Sequence, residues 1–242
     1  MSGHSKWSTI KRKKAVIDAK RGKIFTKLIK EITIAARQGG GDINANPRLR
    51  LAVDNAKSAN MPMDNIDRAI KKALGELEGV NYLELNYEGY GPSGVAVYVE
   101  CVTDNKNRTV ADVRHLFSKY GGSLGESGSV SWMFEHKGII SLPEQDKTED
   151  DLMEIALEAG ADDLQLDDEF FEITTSVESF ETVRKALVDS GLEVENASLQ
   201  WIAKNTVDIQ GEESEKVIKL IDALEDCDDV QNVYTNAEFI EE

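Results

Sequence analysis

The chain has 242 residues, 40% of them hydrophobic, and a formal charge of −17 at pH 7. That length suits two or three domains, and that apolar content fills real cores, which excludes a chain disordered throughout. Two cysteines, Cys101 and Cys227, sit far apart with no CxxC spacing, so neither a disulfide framework nor a zinc site is indicated, and a reducing cytoplasm is the expected compartment.

Charge is divided unevenly along the chain. The first thirty residues hold ten Lys or Arg against the single acid Asp18. Residues 1–77 carry 17 basic and 7 acidic side chains, net +10, which leaves 11 basic and 38 acidic, net −27, for the remainder. A polyanion is drawn to one end and repelled from the other, so a nucleic-acid contact is expected in the first third alone. No apolar segment follows the basic start and no eighteen-residue apolar run occurs, so secretion and a membrane partner are not expected.

The first third reads as three helices. In KIFTKLIKEITIAAR, Ile24, Phe25, Leu28, Ile29, Ile32 and Ala36 recur at helical spacing, while Lys20, Lys23, Lys27, Lys30 and Arg37 gather on another side. One face is expected to pack and the other to present charge. Gly39–Gly41 stop this helix. A second helix follows Pro47, with Leu49, Ala52, Val53 and Ala56 inward. After NMP a third carries Ile66, Ala69, Ile70, Ala73, Leu74 and Leu77 on its inner side.

From about residue 83 the period becomes two. VAVYVECV is a strand, TVADVRHLFSKYG a helix and VSWMF a strand, with GYGPSG as a hairpin turn. GIISL, EDDLMEIALEAG, a weak extended stretch near Leu164, FFEITT, SFETVRKALVDSG and LQWIA then spell βαββαβ. VDI, the helix EESEKVIKLIDAL and VQNVYT supply the βαβ half missing before residue 136. The expected fold is α+β with three domains: a basic helical nucleic-acid-binding bundle at 1–77, a split ferredoxin-like domain at 78–135 and 205–242, and an inserted acidic ferredoxin-like domain at 136–204.

The candidate binding residues follow from charge. The run Lys11, Arg12, Lys13 and Lys14, flanked by Lys6, Lys20, Arg21, Lys23, Lys27 and Lys30, can neutralise phosphates and release counterions without reading sequence. Trp7 can stack on an unpaired base or staple the arm to the bundle. TDNKNRT leaves a strand and enters a helix, so Lys106, Asn107, Arg108 and Thr109 form either an anion seat at a helix start or an ordinary capped turn. The four glycines of GGSLGESG lack the GK[ST] ending of a phosphate loop and read as a mobile contact loop or connector. His4, His115 and His136 are scattered and no nucleophile or metal spacing stands out, so no catalytic residue, metal site or cofactor is nominated.

Three stretches carry a family resemblance: GHSKWSTIKRKKAVIDAKRGKIFTKLIKEI, then VECVTDNKNRT with GGSLGESGSVSWMF, then DVQNVYTNAEF. The chain resembles the YebC family, also called the PmpR family of probable transcriptional regulators, over essentially its whole length. The resemblance implies a helical N-terminal domain, two α/β domains and a regulator of gene expression that binds DNA. Its alternative is a ribosome-associated translation factor that binds ribosomal RNA and relieves stalling at proline runs. A protein partner for the acidic domains and an enzyme with a cleft between domains complete the alternatives.

Overall fold

The computed structural model describes residues 21–143, 148–167 and 170–240. Helix α1 (Arg21–Gly39) stops where Gly40 adopts φ +85°, a left-handed conformation that suits glycine. Helix α2 (Pro47–Ser58) starts with Pro at its first position, and the Asn46 side chain accepts the Leu49 N–H at 3.0 Å. The same Asn46 amide donates to the carbonyls of Ala35 and Gly40, both at 2.8 Å, which ties the end of α1 to the start of α2. Helix α3 (Met63–Ala73) closes the bundle. Ile32, Ala36, Leu49, Val53, Ile66 and Ala69 form its buried centre. Leu74 and Leu77, expected inside, are 46% and 43% exposed. The helix ends at Ala73 and Gly75 turns the chain at φ +80°, so the periodicity outruns the helix.

The sheet region follows as β1 (Leu83–Tyr90), β2 (Ala96–Thr103), α4 (Lys106–Lys119) and β3 (Ser123–Leu124). Next come β4 (Phe134–Pro143), α5 (Glu149–Glu158), β5 (Ala161–Asp167), β6 (Phe170–Thr175), α6 (Phe180–Asp189) and β7 (Asn196–Ala203). The chain closes with β8 (Val207–Ile209), α7 (Gly211–Glu225), β9 (Val230–Thr235) and β10 (Ala237–Phe239).

β4 to β7 form one antiparallel sheet in the order β5-β6-β4-β7, the βαββαβ arrangement read from the sequence. Gly138 allows the close approach of α6 there, because a Cβ on it would collide with the side chains of Phe180 and Thr175. The other sheet draws on both sides of this insert, in the order β3-β1-β2-β9. Its connectivity differs from the expected one. β1 and β2 are a central hairpin across the Pro92–Gly94 turn, and β8 pairs in parallel with β10 outside the sheet, so the second helix and strand join without a βαβ crossover inside it. The expected strand at VSWMF is also corrected: Ser131–Met133 is a 3-10 turn, and the strand begins at Phe134.

Alternation along β2 sets the layers. Val97, Val99 and Cys101 face α4 and α7, packing on Val113, Phe117, Val217, Leu220 and Leu224. Ala96 and Tyr98 face the opposite way, against Phe134, Trp201 and Tyr234. No helix among the described residues is long and apolar enough to cross a membrane.

Candidate nucleic-acid interface

Lys6, Trp7, Lys11, Arg12, Lys13, Lys14 and Lys20 lie outside the described residues, as does the side chain of Arg21. The remaining candidates on α1 are Lys23, Lys27 and Lys30, which share one face at spacings of four and three residues. That face does not simply present charge. It lies against the C-terminus of α7 and the turn into β9. Lys23 donates to the Asp226 carbonyl at 3.0 Å and its carboxylate at 3.3 Å. Lys27 donates to the carbonyls of Glu225 at 3.0 Å and Gln231 at 3.4 Å. Lys30 donates to the carbonyls of Asp228 at 2.7 Å and Val102 at 2.9 Å, and to Asp229 Oδ1 at 3.0 Å. The last carbonyls of a helix lack intrahelical partners and carry its partial negative charge, so the ammonium groups of Lys23 and Lys27, on the Asp226 and Glu225 carbonyls, satisfy both needs, while Lys30 bonds the turn beyond the helix and the end of β2. Burial deepens from exposed Lys23 to buried Lys30.

The second candidate cluster converges on the same place. Asn105 caps α4 by accepting the Arg108 N–H at 3.1 Å, and the seat at this helix start holds an anion that the chain itself supplies. Asp229 Oδ2 accepts from Arg108 Nη2 at 2.7 Å, Arg108 Nε at 3.2 Å, Thr109 Oγ1 at 2.8 Å and Thr103 Oγ1 at 3.1 Å. Arg108 also holds Asp104 at 2.8 Å. Arg108 and Thr109 therefore face an internal carboxylate, while Lys106 and Asn107 are exposed beside them. The sequence pattern marks the cationic turn; its partner is 121 residues away and carries no local signal.

These groups line a cleft of about 500 Å³ that also includes Tyr82 and Cys227. Burial alone would raise the Asp229 carboxyl, but hydrogen bonds from Arg108, Thr109 and Lys30 outweigh it and bring it down to about 2. The carboxylate is therefore charged at neutral pH, where it anchors Lys30 and Arg108. The hydrogen bonds that Arg108 donates to Asp229 and Asp104 raise its guanidinium in turn. Among the described residues no group of His, Cys, Asp and Glu is arranged to hold a metal ion.

Elsewhere on the helical unit the cations stand clear. Lys57 on α2 and Arg68, Lys71 and Lys72 on α3 are exposed, and no hydrogen bond or ion pair engages their side chains among the described residues. The glycine-rich stretch Gly121–Gly128, read as a mobile contact loop or a connector, is fastened at its end and just beyond it. Buried Glu88 accepts the N–H groups of Gly128, Val130 and Ser131, each at 2.8 Å, and Trp132 in the 3-10 turn that follows is 62% exposed. Burial would raise the Glu88 carboxyl; these three donors lower it below its ordinary value.

Fold and cleft together define an α+β protein in which a basic helical unit is fastened onto acidic sheet units. The chain belongs to the YebC family: residues 5–76 match the family's TACO1/YebC N-terminal domain, and residues 82–237 match its second and third domains. A relative from Pelodictyon phaeoclathratiforme, named a probable transcriptional regulatory protein, is 60% identical over 242 residues, covering 100% of this chain and 97% of its own. One from Chlorobaculum tepidum with the same description is 59% identical, covering 100% and 96%. A crystal structure of a conserved hypothetical protein from Aquifex aeolicus superposes with a TM-score of 0.87 at 51% identity, covering 95% of both chains.

Proposed function

We propose that the protein is a non-catalytic, cytoplasmic regulator of gene expression that binds nucleic acid through its helical unit and the basic arm preceding it. The observation that carries this reading is the set Lys57, Arg68, Lys71 and Lys72: four exposed cations without internal partners, on a unit whose sequence nets +10 in a protein of −17. Such side chains neutralise phosphates and supply affinity that falls with salt. The description of the relatives as probable transcriptional regulators puts DNA first. Ribosomal RNA is the second reading, favoured because the exposed side chains of α3 are chiefly long cations, which suit backbone and shape recognition better than base reading.

Two measurements test this. Replacing Lys11, Arg12, Lys13 and Lys14 together with Glu is expected to abolish binding to both a DNA duplex and ribosomal RNA; unchanged affinity at near-physiological salt overturns the reading. Sedimentation of cell extract through a gradient then separates the targets. Migration with ribosomes that disappears on RNase treatment selects ribosomal RNA; its absence, with duplex binding by the purified chain, selects DNA.

A further inference from the structure

The junction between the helical unit and the rest combines lysine-to-carbonyl hydrogen bonds, the packing of Leu51 on the inserted core and a set of ion pairs, and the ion pairs run mostly one way. Lys23 meets Asp226 at 3.3 Å, Lys30 meets Asp229 at 3.0 Å, Arg48 meets Glu84 at 2.5 Å and Arg50 meets Glu181 at 2.7 Å. In each the cation lies on the helical unit and the anion on a sheet unit. Among the described residues Arg184 with Asp54, at 3.0 Å, is reversed. The acceptors facing α1 form a row: the carbonyls of Glu225, Asp226, Asp228 and Gln231 and the carboxylates of Asp226 and Asp229. Lys23 to Lys30 spans about 10 Å of helix, so this is an extended line of anionic and carbonyl oxygens against a line of cations.

We propose that the acidic units are a built-in mimic of a phosphodiester backbone, covering a second phosphate-binding surface on the helical unit made of Lys23, Lys27, Lys30, Arg48 and Arg50. A nucleic acid competes for these cations and opens the junction. The inference rests on the nucleic-acid reading above and adds its regulation: the closed chain binds weakly, through the exposed cations of α2, α3 and the arm, and the opened chain binds with the α1 face as well. Two features permit opening. Three of these five pairs, Lys23–Asp226, Arg48–Glu84 and Arg184–Asp54, are at least one-third exposed on one side and so are screened by salt and individually weak, while the buried Lys30–Asp229 pair is the one that phosphate contacts must replace. Residues 74–82, which join α3 to β1, form neither helix nor strand and are mostly exposed, with Gly75 at φ +80°.

Hydrogen exchange on the full chain tests this. Adding a 30-base-pair duplex in low salt is expected to accelerate exchange of the amides at 226–231 by at least fivefold; binding that leaves them unchanged or slower overturns the proposal. Separately, Asp226→Asn with Glu84→Gln and Glu181→Gln is expected to bind the duplex at least fivefold more tightly. The control, Asp150→Asn with Glu154→Gln and Glu158→Gln on exposed α5 positions, makes the same change in net charge and is expected to gain less than twofold. Equal gains mean general repulsion and overturn the mimic. If the wild type binds no nucleic acid, the functional reading fails, and inorganic polyphosphate tests the junction alone: faster exchange at 226–231 supports a polyanion-opened junction, and unchanged exchange overturns it.

Discussion

Lys30 and Asp229 meet as a buried ion pair, Nζ to Oδ1 at 3.0 Å, with side chains 7% and 6% exposed, although 199 residues separate them in sequence. The pair joins helix α1 to the turn into β9, and both partners are engaged further. Lys30 places its ammonium among three oxygens, and Asp229 receives four side chains. Removing one side of such a pair strands the other charge away from water. Asp229→Ala is expected to lower the unfolding free energy by about 3–5 kcal/mol, read as a lower urea midpoint, while an exposed acid such as Glu212→Ala changes it by less than about 0.5 kcal/mol.

The same carboxylate sets an acid limit. Its pKa is held at about 2 in the folded chain, below the ordinary aspartate value near 3.9, so the folded state binds its proton less readily than the unfolded state. Its contribution is complete above about pH 4 and is lost as pH falls toward 2. A urea titration series should show stability falling through that window, and Asp229→Asn should flatten part of the slope. An unaltered slope in the variant would mean that other carboxylates carry the acid transition.

Glu88 supplies a third test. Its carboxylate gathers three backbone N–H groups of the loop at 128–131, and charge-assisted bonds of this kind are stronger than neutral ones. Glu88→Ala leaves three donors without that acceptor and is expected to cost about 2–4 kcal/mol, with faster hydrogen exchange confined to residues 125–133. Protection of those amides equal to that of the wild type would show that the loop is held by its own turns instead.

Much of the fold is legible because it is local. Leu49, Ala52, Val53 and Ala56 announce one face of α2, Pro47 announces its start, and the inserted βαββαβ order follows from strand and helix periods alone. The missed features arise where a local stop overrides the apolar rhythm or where the partner is remote in sequence. Leu74 and Leu77 continue a helical rhythm that Gly75 breaks, and the two-residue β3 exists only because Gly89 and Tyr90 lie beside it. The lysines of α1 show the same limit at the candidate site. Spacing places them on one face, but whether that face meets solvent or α7 depends on acceptors nearly 200 residues away.

Arg108 separates a structural turn from an external anion seat. Its guanidinium bonds Asp229 through two nitrogens and Asp104 through one, whereas its neighbour Lys106 stands exposed with no such partner. If the turn serves the fold, Arg108→Ala lowers the melting temperature measurably and Lys106→Ala does not. Each change removes one positive charge from the same turn, so general attraction for a polyanion falls equally in both, and the two variants are expected to bind a DNA duplex alike at a temperature where both are folded. A phosphate seated by Arg108 would produce the opposite pattern: Arg108→Ala would bind several-fold more weakly than Lys106→Ala while melting at the wild-type temperature. Thermal melts and duplex titrations on the two variants, run in the same buffer, distinguish these outcomes, and the pairing with Asp229 at 2.7 Å predicts the first.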